Sequence, residues 1–200
     1  MGLEPPVSKR LEDPLHYYDF VADRDFFPLL LKIDRSIAAE AHGRPCAACD
    51  GKLDRADFMR IGYGLPPGTD DECRRRFSFC CRRDGCRKRL TPESVRFLRG
   101  KAYVSVVIVL MSACGHGLSP DRVQKLKASL NVSRQTIQAW LTWWKNRVVP
   151  SPLWKGQRGR FMPALDETKL SFSLLEAFGR ETAEAEAAIK SLLRFLAPFG

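Results

Sequence analysis

The sequence predicts a mainly α-helical fold interrupted by one small β segment, and three observations predict it. Apolar residues recur at helical spacing from Asp25 to Gly43, from Lys101 to about Val149, around LSFSLLEAF and from Glu181 to Leu196. Between the first two of these, Arg44 to Arg89 breaks into short extended stretches punctuated by turns such as DGK and GYGLPPGTDD. That stretch also carries two tight cysteine clusters. No internal repeat is visible, and the spacing divides the chain at 1–44, 45–101, 102–150 and 151–200.

Residues 1–44 form an N-terminal helical segment. In FFPLLLKIDRSIAAEAHG, Leu29, Leu30, Ile33 and Ile37 lie at helical spacing, with Asp25 as the N-cap and Gly43 as the stop. The preceding HYYDF supplies aromatic rings to pack nearby, so the role expected of this helix is structural.

Residues 45–101 hold Cys46 and Cys49 as C-x2-C, then Cys80, Cys81 and Cys86 in FSFCCRRDGCRKR. Two turns that each present two sulfurs are what a tetrahedral thiolate site requires, and zinc is the metal that such a closed, four-sulfur site holds. Five cysteines compete for four positions. Strand alternation puts Cys81 on the face shared by Phe77 and Phe79, so the ligand set read from the sequence is Cys46, Cys49, Cys81 and Cys86, with Cys80 as the alternate. One structural zinc ion is expected, in a site with no open position for catalysis. His42 is read as a helix-end histidine, and Cys73 and Cys114 as ordinary thiols. The segment is rich in arginine and poor in aliphatic residues, so metal must supply much of its folding energy. Arg74, Arg75, Arg76, Arg82, Arg83, Arg87, Lys88 and Arg89 surround the ligands as a cationic shell suited to phosphate contacts.

Residues 102–150 read as a helix-turn-helix. Ser119 and Pro120 start one helix, with Val123, Leu126 and Leu130 on its inner face; Asn131 occupies the turn, and Ser133 caps the next helix. Ile137, Trp140, Leu141 and Trp144 line that second helix at i, i+3, i+4 and i+7. Arg134, Gln135 and Gln138 in its first turns are the side chains expected to reach base edges, while Thr136, Lys145 and Arg147 are expected on phosphates. Lys127 and Asn131 depart from the small residue and the glycine usual at their positions. In 151–200 a basic connector, PSPLWKGQRGRFMPAL, leads to the C-terminal helices, and it reads either as a flexible arm or as a segment docked on the helices.

Charge is distributed unevenly. The chain has 200 residues and a net charge of +10, yet 1–71 carry −4, 72–101 carry +8, 102–165 carry +8 and 166–200 carry −2. A +16 centre between acidic ends is an electrostatic footprint for a phosphate backbone. The apolar run Ala102 to Cys114 is too short to span a bilayer, and MGLEPPVSKRLEDP has no apolar stretch of a secretory signal, so a cytoplasmic protein with no membrane partner is expected.

The order of these elements resembles the N-terminal region of insertion-sequence transposases of the DDE type, which combine a zinc ribbon with a helix-turn-helix. The resemblance rests on the C-x2-C, the second cysteine group ending in CRKR, the Thr-Pro-Glu-Ser segment, the run AYVSVVIVLMSA and SPDRVQKLKASLNVSRQTIQAWL, covering roughly Pro45 to Val149. It implies that the apolar run is the first helix of a three-helix DNA-binding domain, although Val104, Val106, Val107, Ile108 and Val109 are β-branched and favour a strand by propensity. The family's catalytic domain, with its three spaced carboxylates, has no counterpart after Val149, and no Ser/His/Asp or Cys/His set is visible, so no enzymatic activity is expected.

The complete expectation is therefore a mainly α fold with a small β zinc ribbon and a helix-turn-helix. Its function is double-stranded DNA binding as a non-catalytic accessory or regulator of a mobile element, in a bacterial, nucleoid-associated setting. A separate transposase or recombinase subunit is expected as a further partner. A protein-interaction adaptor and an RNA-binding zinc ribbon are the alternatives.

Overall fold

The computed structural model describes residues 23, 25–98, 101–114, 132–182 and 184–199. They divide into two compact units: the described residues of 20–105 with 193–199, and those of 106–192. The architecture is mainly helical with a small antiparallel sheet. The helix expected from Ser119 to Leu130, the turn residue Asn131 and the tyrosine-rich HYYDF lie outside the described residues.

In the first unit, helix α1 spans Phe26–His42. Its buried face is Phe26, Phe27, Leu30, Leu31, Asp34 and Ala38, whereas Leu29, Ile33 and Ile37 are only half-buried. The helix is thus rotated relative to the face expected from its aliphatic residues. The cause is Asp34, which points inward because a buried cation, Arg96, waits for it. Asp25 occupies the N-cap position but its side chain makes no capping bond; the Asp23 carboxylate instead accepts the Asp25 N–H at 2.8 Å.

After α1 come β1 (Leu53–Arg55), β2 (Phe58–Met59), a 3-10 turn (Asp71–Arg74), β3 (Arg75–Arg76), β4 (Phe79–Cys81) and β5 (Arg89–Leu90). Strands β1, β4 and β5 form one antiparallel sheet with β4 central, and β2 and β3 pair separately. The register sets Leu53 opposite Cys81 and Phe79 opposite Leu90. Phe79 and Cys81 are buried while Cys80 is half-buried, the alternation a two-residue strand period dictates.

Arg96 joins α1 to this ribbon. Its Nε donates to Asp34 at 2.7 Å, and both side chains are 1% exposed. Asp34 also accepts from the Ser94 hydroxyl at 2.5 Å and the Val95 N–H at 2.7 Å. The remaining Arg96 donors reach the carbonyls of Glu72 (3.3 Å), Cys73 (2.7 Å) and Arg75 (2.8 Å), and the guanidinium lies over the Phe77 and Phe97 rings. Each charge is therefore paired and hydrogen-bonded, as burial demands. The N-terminal helix, separated from the ribbon at residue 44 by its sequence pattern, belongs to the same unit for this reason.

In the second unit the apolar run is helical: α2 spans Ser105–Cys114, with its first residue in the first unit, and Val106 to Met111 are fully buried. Helical burial overrides the β preference of its valines. Helix α3 spans Arg134–Trp143 and continues as a π-helical turn over Trp144–Val148. The basic connector is ordered: α4 spans Pro152–Gln157, capped by Ser151, with Trp154 buried and its indole N–H donating to Glu167 at 2.8 Å. Helices α5 (Leu170–Glu181) and α6 (Ala185–Leu196) follow, the last four residues of α6 belonging to the first unit. Trp154 stacks on Phe161, and Phe161 meets Phe178 edge to face, within this unit.

Candidate metal centre and basic surface

The two cysteine turns owe their shape to left-handed residues. Asp50 (φ 55°) follows Cys49, and the Cys46 N–H donates to the Gly51 carbonyl at 2.9 Å, closing the first turn. Gly85 (φ 82°) and Arg87 (φ 46°) flank Cys86 in the second. Aspartate and glycine are among the residues that tolerate this region best.

These turns bring Cys46, Cys49, Cys81 and Cys86 together, with all four sulfurs within 4.8 Å of one another. Cys49 and Cys81 are 3.5 Å apart and Cys46 and Cys86 3.8 Å apart. Tetrahedral zinc with Zn–S bonds of about 2.3 Å separates its sulfurs by about 3.8 Å, so the donor set and spacing fit such an ion. The four cysteines lie close enough to hold a metal ion, and they are the four the sequence selects. Cys80 lies apart: its thiol donates to the Arg87 carbonyl at 3.3 Å. His42 also stays outside the cluster, its Nε2 donating to the Leu53 carbonyl at 2.9 Å while its ring stacks on Phe79. Cys73 is fully buried, which pushes its thiol above the ordinary range.

Backbone N–H groups already favour thiolates here. The Gly51 N–H, with a contribution from Cys86, lowers Cys49 to about 7. The Arg83 N–H favours the Cys81 thiolate and the Lys88 N–H that of Cys86. Around Cys81 the opposing effects of burial and the neighbouring sulfurs prevail and push it up to about 12. Cys86 also lies above the ordinary value, chiefly through Cys49. Four like groups this close cannot all ionise until a cation neutralises them.

Gly51 belongs to this site as well. A Cβ there would stand 2.9 Å from the Cys81 sulfur and 3.3 Å from that of Cys49, so no other residue fits without displacing a ligand. The DGK turn in the sequence marks the bend but not this close approach.

Three of the expected cations are not free for phosphate: Arg76 is buried, its guanidinium donating to the Pro92 carbonyl, Arg75 is half-buried and pairs with Glu72 at 2.5 Å, and Arg74 pairs with Asp71 at 3.8 Å. The rest of the cationic shell, Arg82, Arg83, Arg87, Lys88 and Arg89, is exposed, but its members are engaged differently. Arg82 forms a two-pronged pair with Asp54 (2.6 and 3.1 Å), which holds that carboxyl below its usual range. Arg89 donates to the Ala56 carbonyl and the Ser78 hydroxyl, both at 3.1 Å, and lies over Phe58. Arg83, Arg87 and Lys88 form no ion pair among the described residues.

On α3, the Ser133 side chain accepts the Thr136 N–H at 3.1 Å, the capping bond the sequence calls for. Ile137, Trp140 and Trp144 are buried, Leu141 is half-buried, and Arg134, Gln135, Gln138, Lys145 and Arg147 are exposed. Thr136 is half-buried and shares its hydroxyl with Ser133 at 2.9 Å. Among the described residues no helix is long and apolar enough to cross a membrane. Comparison with family models, with curated proteins and with solved structures yields no match.

Proposed function

We propose that this protein is a zinc-dependent double-stranded DNA-binding protein that acts without catalysis, as an accessory or regulator of a mobile element. One observation carries the reading: the capped helix α3 turns its apolar residues inward and presents Arg134, Gln135 and Gln138 outward from its first turns. Arginine and glutamine there match guanine and adenine edges in a major groove. Lys145 and Arg147, with Arg83, Arg87 and Lys88 of the ribbon, supply phosphate contacts, and one zinc ion on the four cysteines holds those ribbon cations in a fixed array.

The experiment is a fluorescence-anisotropy titration of duplex DNA at several salt concentrations. Affinity should fall steeply with salt, and Arg134→Ala should relax base preference while Lys88→Ala weakens binding to all sequences alike. A flat salt response overturns the reading. Duplexes carrying element ends, compared with random duplexes, test the mobile-element assignment.

Phe58 and Tyr63 are 41% and 51% exposed, Phe58 lying against the Arg89 guanidinium, and they favour RNA as a second reading, because exposed rings stack on unpaired bases. Competition between structured RNA and duplex DNA separates the two.

A further inference from the structure

The three-stranded sheet ends on one side at β5, and a cleft of about 740 Å3 opens between that strand and α1. Helix α1 lines it with Ile37 and Ala41, and the chain from Lys88 to Glu93 lines the other side without a gap. Strand side chains alternate between faces, so a cleft bordered by every residue in turn meets β5 at its edge. The hydrogen bonds agree. The Cys81 N–H donates to the Lys88 carbonyl at 2.9 Å, which makes Lys88 and Leu90 the residues whose backbone groups point at β4. Those of Arg89 and Thr91 point away from the sheet, and no backbone hydrogen bond takes them up among the described residues. All four residues from Lys88 to Thr91 are exposed, so this edge is open to solvent.

The side chains of Arg89 and Thr91 lie on the far face of the sheet. Arg89 donates to the Ala56 carbonyl and the Ser78 hydroxyl, and the Thr91 hydroxyl meets that of Ser78 at 3.3 Å. Lys88 and Leu90 share the face turned to α1. Leu90 stands opposite Phe79, whose ring stacks on His42 of the helix, and it is 37% exposed. With half-buried Ile37 and Ala41 it forms an apolar seat. Charge is graded along the cleft. Arg44 and Lys88 lie at one end, each two residues from Cys46 or Cys86, whose sulfurs are 3.8 Å apart. Glu93 lies at the other end, next to the Ser94 that bonds Asp34, and Glu40 one turn of α1 before Arg44. Arg44 and Lys88 are exposed and form no ion pair among the described residues.

We propose that the cleft between α1 and β5 binds an extended peptide of a protein partner, which adds to β5 as a further strand. The peptide seats a large apolar side chain against Ile37, Ala41 and Leu90 and sets a carboxylate, two residues away, at Arg44 and Lys88. A free edge supplies main-chain hydrogen bonds and the flanking seat supplies specificity, the two elements of recognition by strand addition. The two-residue offset follows from Lys88 and Leu90, which stand two positions apart on one face of β5. None of this rests on the DNA-binding reading.

The test selects binders of the full zinc-loaded chain from a phage-displayed library of random linear peptides and measures the enriched peptides by fluorescence anisotropy without DNA. Enrichment of an acidic residue two positions from a large apolar one is expected. N-methylation of successive peptide amides should abolish and spare binding in alternation, because only every second N–H of an added strand faces the edge. Leu90→Asp should abolish binding, and Lys88→Gln should weaken it about tenfold, the loss of one charge-assisted contact. Ile61→Asp, at an exposed apolar residue outside the cleft, should leave it unchanged, with circular dichroism showing each variant folded. No enriched peptide, or affinity unaltered in Leu90→Asp, overturns the site. Uniform sensitivity to N-methylation overturns strand addition, and enrichment without an acid overturns the peptide class. Self-association that Leu90→Asp abolishes would assign the cleft to a second copy of the chain and overturn the partner.

Discussion

The ribbon unit and the helical unit reach stability by opposite means. In the helical unit six consecutive residues, Val106 to Met111, are fully buried, and Trp154, Phe161 and Phe178 are buried ring against ring. The ribbon has strands of only two or three residues, and it depends on a few named atoms: four sulfurs, one guanidinium, one carboxylate and one missing Cβ. Apolar packing tolerates small changes because it is spread over many contacts. A structure hung on single atoms fails when one of them is removed.

Metal removal is the change that separates the two units most sharply. Zinc bound by four thiolates contributes on the order of 10–16 kcal/mol to the folding of such segments, so a chelator should abolish ribbon structure while much of the helical circular dichroism signal survives. Analysis of metal content should find one ion per chain, lost in Cys81→Ser; a folded ribbon without metal breaks the contrast. Next comes Asp34→Asn, which leaves Arg96 buried beside a neutral partner and should cost about 3–5 kcal/mol in chemical denaturation. Leu174→Ala, fully buried in α5, sharpens the comparison from the other side. It should cost about 2–5 kcal/mol and leave zinc affinity unchanged in a competitive chelator titration. Gly51→Ala should weaken zinc roughly ten- to a hundredfold in that titration with little change in helical content, because the added methyl displaces a ligand and its N–H contact. The smallest effect is expected from Ser133→Ala, about 1 kcal/mol of stability from the lost cap. If it lowers DNA affinity more than that, the start of α3 contributes to binding beyond its own folding.

What could be read from the sequence follows the same division. The four cysteines were legible because ligands come in short, spaced groups and because strand alternation distinguishes Cys81 from Cys80. The Ser133 cap and the inward Trp140 and Trp144 were legible because capping and helical period are local. The orientation of α1 was not, since hydrophobicity points to Leu29 and Ile33 while the deciding residue is an aspartate whose partner lies 62 positions further on. Propensity alone misassigns α2, and only the order of elements indicated a helix. The connector around Trp154 stayed open because its burial depends on Glu167, another distant residue.

The pair Asp34–Arg96 also sets an order of assembly. As the chain leaves the ribosome, α1 emerges first, then Cys46 and Cys49, then Cys81 and Cys86, and the partner of Asp34 comes after all of them. An ion held by the two cysteine turns would join residues 32 to 40 positions apart, all of them synthesised before Arg96. That ties off most of the intervening loop and lowers the entropy still to be lost when the guanidinium finds its carboxylate. Among the described helices of that unit, the one synthesised first would thus be secured only once Arg96, 62 positions later, is available.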